Sequence, residues 1–170
     1  MELISKNLND CLDRLIGKSF AINRMLDRGM SLLKVRWKMI NSSNTLHPML
    51  AHAYLGDKFA DSISDYQAER GMESIYPATP IGNREYSSPL DFFNDYMSEN
   101  IEFEDMIKDA INIATQEEDY TTKKFLDGLL YRLAPYIAAS NDLVDLVSAC
   151  DNDKFKLLVL DSEIDDYINV

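Results

Sequence analysis

Residues 72–93 read MESIYPATPIGNREYSSPLDFF, a long connection that ends in a helix start. The part from Met72 to Ser88 contains two prolines and a glycine and has no helical period. Ser88 and Pro89, by contrast, are typical of an N-cap and a first helical position. A connection of this length is uncommon between neighbouring elements, so we expect it to cross the structure from end to end.

Apolar residues recur at three- and four-residue steps on both sides of this connection, which predicts an all-α protein. We expect a single domain over residues 1–170. Asn41–Asn44 is the expected first break, since these side chains compete for backbone hydrogen bonds. Pro48 is tolerated in the first turn of the second helix. The five predicted helices cover residues of about 5–40, 46–70, 89–116, 121–150 and 154–168. This order predicts a four-helix bundle with one long crossover and a short fifth C-terminal helix.

Composition excludes several classes of function. A formal net charge of -12 argues against binding to a phosphate backbone, so no nucleic-acid partner is expected. No stretch approaches the roughly 18–20 apolar residues of a membrane span. Cys11 and Cys150 match no metal or redox spacing, and we expect free thiols in a reducing compartment. Together these features predict a soluble, cytoplasmic protein.

Four stretches between about residues 44 and 165 are distinctive, namely Asp65-Tyr66, EYSSPLDFF at 85–93, Asp119-Tyr120 and KLLVLDSEI at 156–164. On these stretches the sequence resembles bacterial ferritins. Trp37 and Ala68-Glu69-Arg70 give a looser likeness to the Dps mini-ferritins, but the short fifth helix favours ferritin proper. The resemblance implies a ferritin-like bundle, iron as the metal, and a homo-oligomer that forms a cage or a mixed shell with active ferritin subunits.

The resemblance also implies where a dinuclear ferroxidase centre would lie. Such a centre needs carboxylates to bridge two iron ions and one imidazole to complete the ligand set. The corresponding positions hold no such ligands, although helical periodicity places them on the inner faces of the bundle. They are Gly56, Phe59, Asn100, Leu133 and Tyr136. We therefore expect no dinuclear centre of the usual kind and no confident catalytic residue.

Other residues are weaker metal candidates. His52 lies on the predicted inner face one turn before Gly56, and Glu104 lies on that of the third helix. Each is either a remnant metal ligand or part of a hydrogen-bonded plug, with Arg24, Arg132 or His52 as partners for Glu104. An acidic row at four-residue steps is either a cation path or a solvated helix face. The row consists of Asp57, Asp61, Asp65 and Glu69.

These observations favour an iron-binding or iron-storage shell subunit without its own ferroxidase centre. Two alternatives stay open. One is a weak ferroxidase with a relocated site around His52 and Glu104, and the other is a structural or interaction protein that handles no iron. Enzymatic activity is uncertain on these grounds, and the replaced ligands argue against it.

Overall fold

The computed structural model describes residues 1–80 and 82–170, and these residues form helices and connections but no β-strand. The elements are α1 (Lys6–Val35), α2 (Ile40–Leu46), a π-helical turn (His47–Ala51), a 3₁₀ turn (His52–Tyr54), α3 (Ala60–Glu69), α4 (Pro89–Gln116), α5 (Tyr120–Ala149) and α6 (Lys154–Tyr167). The predicted all-α bundle, with its long crossover and short C-terminal helix, is confirmed. No helix in the described part of the chain has the length and apolarity needed to span a membrane.

The start of α4 follows the sequence prediction. The Ser88 side chain accepts a hydrogen bond from the backbone N–H of Asp91 over 3.1 Å, and Pro89 occupies the first helical position. The N-cap satisfies one of the backbone donors that a helix start leaves unpaired. The Ser88 cap and Pro89 therefore fix the point at which the crossover ends and α4 begins.

The predicted end of the first helix is wrong. α1 ends at Val35 and a tight turn follows, in which Lys38 adopts a positive φ of 61°. Residues 41–44, expected as the break, lie inside α2 instead. The reason is a distant partner, because the carboxylate of Asp161 in α6 accepts hydrogen bonds from the backbone N–H groups of Asn41 (3.3 Å) and Ser42 (2.7 Å). The Asp161 carboxylate therefore caps the start of α2, in place of a side chain from the α2 segment itself.

A continuous second helix over 46–70 is also wrong. Because the helix begins at Ile40, Pro48 falls beyond its first turn, where it has no N–H to donate and its ring crowds the preceding turn. The chain widens there into the π-helical turn. It then tightens into the 3₁₀ turn, and Phe59 leaves helical geometry with φ -132° and ψ -90° before α3 begins.

The core lies between α1, the segment from α2 to α3, α4 and α5. Leu12, Leu26, Leu129 and Leu133 are among its fully buried side chains. Close approach of α1 to α4 depends on Gly29, since a Cβ atom at this position would lie 1.9 Å from the Phe92 ring. The two cysteines, Cys11 and Cys150, are free and buried.

Ion pairs attach the crossover to the outside of the bundle. Lys18 on α1 lies 2.6 Å from Glu99 on α4, and both side chains are about nine-tenths buried. Arg84 in the crossover bonds to the carboxylates of Asp95 (2.7 Å) and Glu99 (3.1 Å). The hydroxyl of Tyr86 donates to Asp95 over 2.6 Å. This network holds the end of the crossover in place directly before α4.

Candidate functional site

Three polar side chains meet inside the bundle without access to solvent. Tyr54 comes from the 3₁₀ turn, while Tyr96 and Asn100 lie one turn apart on α4. The hydroxyl of Tyr54 donates to the side-chain oxygen of Asn100 over 2.5 Å and lies 2.9 Å from the hydroxyl of Tyr96. The Asn100 amide donates in turn to the backbone carbonyl of Tyr136 over 3.4 Å. The buried polar groups are thus paired with one another, as a low-dielectric interior requires.

Aromatic rings fill the space around these hydrogen bonds. Phe59 stacks on Tyr54 with ring centroids 5.1 Å apart, and Tyr136 meets both rings edge-on at 5.5–5.6 Å. Phe103 packs against Phe59 at 5.6 Å. We name this cluster the central plug, and it consists of Tyr54, Phe59, Tyr96, Asn100, Phe103 and Tyr136. Packing of this kind leaves the middle of the bundle occupied by side chains.

The central plug is uncharged. Burial raises the pKa of Tyr54 well above its ordinary value. Burial also raises the pKa of Tyr96 to about 12. Both phenols therefore keep their protons at neutral pH and act as hydrogen-bonding groups rather than as anionic ligands.

Two cationic side chains lie beside the plug. The ammonium of Lys58 donates to the Tyr136 hydroxyl over 3.0 Å and lies 5.4 Å from the centre of that ring. The guanidinium of Arg132 donates to the backbone carbonyl of Lys58 over 2.9 Å and to the hydroxyl of Ser62 over 3.0 Å. These two side chains place positive charge at one edge of the plug, with the carboxylate of Asp57 close to Arg132.

The five replaced ligand positions differ in how far the structure buries them. Phe59, Asn100 and Leu133 are fully buried, and Tyr136 is nearly so. Gly56 lies in the turn before α3, where its carbonyl accepts hydrogen bonds from the N–H groups of Phe59 and Asp61. Over residues 1–80 and 82–170, no group of three or more His, Cys, Asp or Glu side chains is arranged to hold a metal ion.

Comparisons with known proteins decide the family. A family model described as ferritin, ferritin-like domain, matches residues 42–147, which is more than half of the chain. The chain belongs to the ferritin-like domain family. The predicted resemblance to ferritins is thereby confirmed.

A bacterial non-heme ferritin of Staphylococcus saprophyticus is 24% identical to this ferritin-like chain over 102 residues. The match covers 60% of the chain and 61% of the relative, so the chain spans about three fifths of the curated relative. An open-pore ferritin from the archaeon Archaeoglobus fulgidus superposes with a TM-score of 0.83 at 23% identity, covering 95% of this chain and 97% of that one. A humanized archaeal ferritin superposes with a TM-score of 0.86, also at 23% identity, covering 95% of each chain. These structures show that the fold is shared.

The ferritin-like chain does not bring His52 and Glu104 together. His52 is exposed, and its ring packs against that of His47 with centroids 4.9 Å apart. Glu104 is partly exposed and pairs with Lys108 one turn along α4 over 2.7 Å, rather than with Arg24, Arg132 or His52. The placement of His52 on the inner face was wrong, because the π-helical and 3₁₀ turns change the direction of the side chains along this segment.

The acidic row lies on the surface of the ferritin-like chain. Asp57, Asp61, Asp65 and Glu69 are all exposed. Asp57 precedes α3, and the other three follow at four-residue steps along it. They form one acidic face that is open to solvent.

Sequence reasoning missed Tyr54 as a member of the bundle centre. A uniform helical period over 46–70 predicts that His52, Gly56 and Phe59 share the inner face of one helix, and it does not place Tyr54 on that face. The only signal in the sequence was the pair Pro48 and Gly56, two poor helix residues within one predicted helix. Tyr96 lies on the regular helix α4, but its hydrogen bond to Tyr54 depends on the same irregular turns.

Proposed function

We propose that this ferritin-like chain is an iron-storage subunit, one domain over residues 1–170, that assembles with copies of itself into a shell and has no dinuclear ferroxidase centre of its own. The observation that carries the proposal is the central plug. It fills the bundle with neutral phenol, phenyl and amide groups, whereas two bridged iron ions require several carboxylates. The relatives named above are ferritins, which supports iron as the cargo.

Iron handling in this proposal takes place on acidic surfaces. The net charge of -12 attracts cations, and the exposed row of Asp57, Asp61, Asp65 and Glu69 offers hard oxygen ligands. Fe(II) is then oxidised by dissolved oxygen at such surfaces, or by active ferritin subunits in a mixed shell. We propose a cytoplasmic location, which fits two buried free thiols.

The rate of Fe(II) oxidation after rapid mixing in air-saturated buffer tests whether the chain has a dinuclear ferroxidase centre. We expect oxidation no faster than in a protein-free blank, with an active bacterial ferritin as the positive control. Saturable oxidation that is fast compared with the blank would contradict the proposal and support a relocated ferroxidase site.

Mass and metal content test the storage shell. Light scattering should give a closed oligomer, and protein purified from iron-rich medium should retain many iron atoms per subunit. A monomer or dimer without iron would instead favour a structural protein on the ferritin scaffold.

A charge-matched pair of variants tests the acidic row. Changing the four carboxylates of the row to amides should reduce the retained iron. A control with four exposed Asp residues changed to Asn elsewhere should retain the wild-type amount; these are Asp105, Asp142, Asp151 and Asp166. Equal iron content in the two variants would rule out a special role for the row.

A further inference from the structure

The chain has two histidines, His47 and His52, and they lie side by side on the protein surface. Their ring centroids are 4.9 Å apart and the rings are inclined by 59°. His52 is exposed and the side chain of His47 is about two-fifths exposed. Both imidazoles therefore remain accessible to an ion in solution.

The irregular turn after α2 is what places the two rings together. In a regular α-helix, residues five positions apart point about 140° away from each other, given 3.6 residues per turn. In a π-helical turn the hydrogen bond spans five residues, so the side chains at positions i and i+5 point in more similar directions than they do in an α-helix. His47 opens the π-helical turn and His52 follows it directly. Such turns occur frequently at functional sites.

A third side chain orients His47. The Nε2 atom of His47 lies 2.7 Å from a carboxylate oxygen of Asp27 on α1. A carboxylate accepts hydrogen bonds, so in the neutral imidazole this contact assigns the proton to Nε2 and leaves the lone pair on Nδ1. A histidine that binds a metal through one nitrogen usually donates its other N–H to a carboxylate in this way. The hydrogen bond between His47 and Asp27 also fixes the His47 tautomer that metal binding needs.

We propose that Nδ1 of His47 and the imidazole of His52 bind one divalent transition-metal ion of the imidazole-preferring class, Zn²⁺, Ni²⁺ or Cu²⁺, with Asp27 as the positioning residue. A ring separation of 4.9 Å suits two imidazoles that share one ion, since each nitrogen lies about 2.0–2.1 Å from Zn²⁺. Water molecules complete the coordination because the chain supplies two ligands. This surface site is separate from the central plug and does not depend on iron storage.

The ligand set also defines which ions the site rejects. Imidazole suits Zn²⁺, Cu²⁺ and Ni²⁺, whereas Mg²⁺ and Ca²⁺ prefer carboxylate and carbonyl oxygens. Cu²⁺ should bind most tightly, in line with the general order of divalent ions. Millimolar Mg²⁺ should leave binding of the transition metals unchanged.

Calorimetric titration of the full-length protein with Zn²⁺ tests the site. We expect one Zn²⁺ per chain, with binding lost in His47→Gln, in His52→Gln and in the double variant. Asp27→Asn should weaken binding about 10–100-fold, the usual effect of losing a partner of a liganding histidine. Asp142→Asn, which removes an exposed carboxylate from α5, is the matched control and should bind as the wild type does.

Nuclear magnetic resonance of the imidazole groups gives an independent readout on the wild type. Because the chain contains only two histidines, both sets of ring resonances should shift or broaden with one equivalent of Zn²⁺. Ring resonances unchanged by Zn²⁺ would overturn the proposal, even if a variant failed to fold. Zn²⁺ binding that survives in the double variant, or that needs only one of the two histidines, would overturn it as well.

Discussion

The Tyr54 hydroxyl donates a hydrogen bond to the Asn100 side-chain oxygen, and this bond joins the irregular second segment of the bundle to α4. Both residues are without solvent exposure, and 46 positions separate them in sequence. Because this contact is buried, the polar groups at the bundle centre form hydrogen bonds with one another rather than with solvent.

Tyr54→Phe should destabilise the protein. The substitution keeps the ring but leaves the buried Asn100 oxygen without its donor and the Tyr96 hydroxyl without its partner. Unpaired buried polar groups cost about 1–3 kcal/mol, which urea denaturation would detect as a lower midpoint. Tyr131→Phe removes a hydroxyl from a side chain that is 83% exposed and should change stability by less than about 0.5 kcal/mol. Equal stability of the two variants would contradict this role of Tyr54.

Alkaline pH should weaken the fold through the same phenols. Burial raises the pKa of Tyr96 to about 12 and raises the pKa of Tyr54 as well, whereas both ionise near pH 10 in the unfolded chain. Their stabilising contribution is therefore complete below about pH 10. It declines as the pH rises towards 12, because unfolding then releases protons that the folded protein retains.

Each such phenol should lower the free energy of unfolding by about 1.4 kcal/mol per pH unit within that window. Denaturation series between pH 9 and 11.5 would measure the slope. Tyr54→Phe should show a shallower slope than the wild type, while the exposed Tyr131→Phe should not. A slope unaffected by Tyr54→Phe would show that the alkaline loss arises elsewhere.

Gly29→Ala and Gly128→Ala should change stability in opposite directions. A Cβ atom at Gly29 would overlap the buried Phe92 ring, and overpacking of this kind costs about 1–3 kcal/mol. At Gly128 the nearest heavy atom is the end of the flexible Arg132 side chain, 3.7 Å away. Alanine there should stabilise α5 by about 0.5–1 kcal/mol. Thermal unfolding of both variants is the measurement, and a Gly29→Ala variant as stable as the wild type would argue against close packing of α1 on α4.

Asp161→Ala should weaken the start of α2. The change removes the acceptor for two backbone N–H groups and should cost about 0.5–2 kcal/mol, as for other N-cap losses. Amide hydrogen exchange at Asn41 and Ser42 should accelerate more than in α5. Asp166→Ala, an exposed change on the same helix, should leave both properties unaltered. Unchanged exchange at these two amides would exclude the capping role.

Regular helices and local caps were predictable from the sequence, and the irregular second segment was not. α4 and α5 follow the expected bounds within a residue, because their apolar period is uninterrupted and Ser88 and Asp119 cap them locally. α2 starts earlier than expected because its cap is Asp161, a residue far away in sequence. A pattern of periodic residues does not reveal a partner of that kind.

The candidate site was predictable only in part for the same reason. Asn100 and Leu133 lie on regular helices, so their inward positions followed from spacing. His52 and Tyr54 lie where the chain passes from a π-helical to a 3₁₀ turn, and each additional or missing residue per turn rotates the side chains that follow. The exposure of His52 and the burial of Tyr54 therefore had to be read from the structure.

The bond between Asp161 and Ser42 also sets an order of events during biosynthesis. The ribosome must add 119 further residues after Ser42 before the carboxylate that completes α2 exists. Contacts so distant along the chain form late and slow the folding reaction. The start of α2 in each newly made chain therefore stays without its cap until α6 has been synthesised, and premature termination before α6 leaves α2 without that cap permanently.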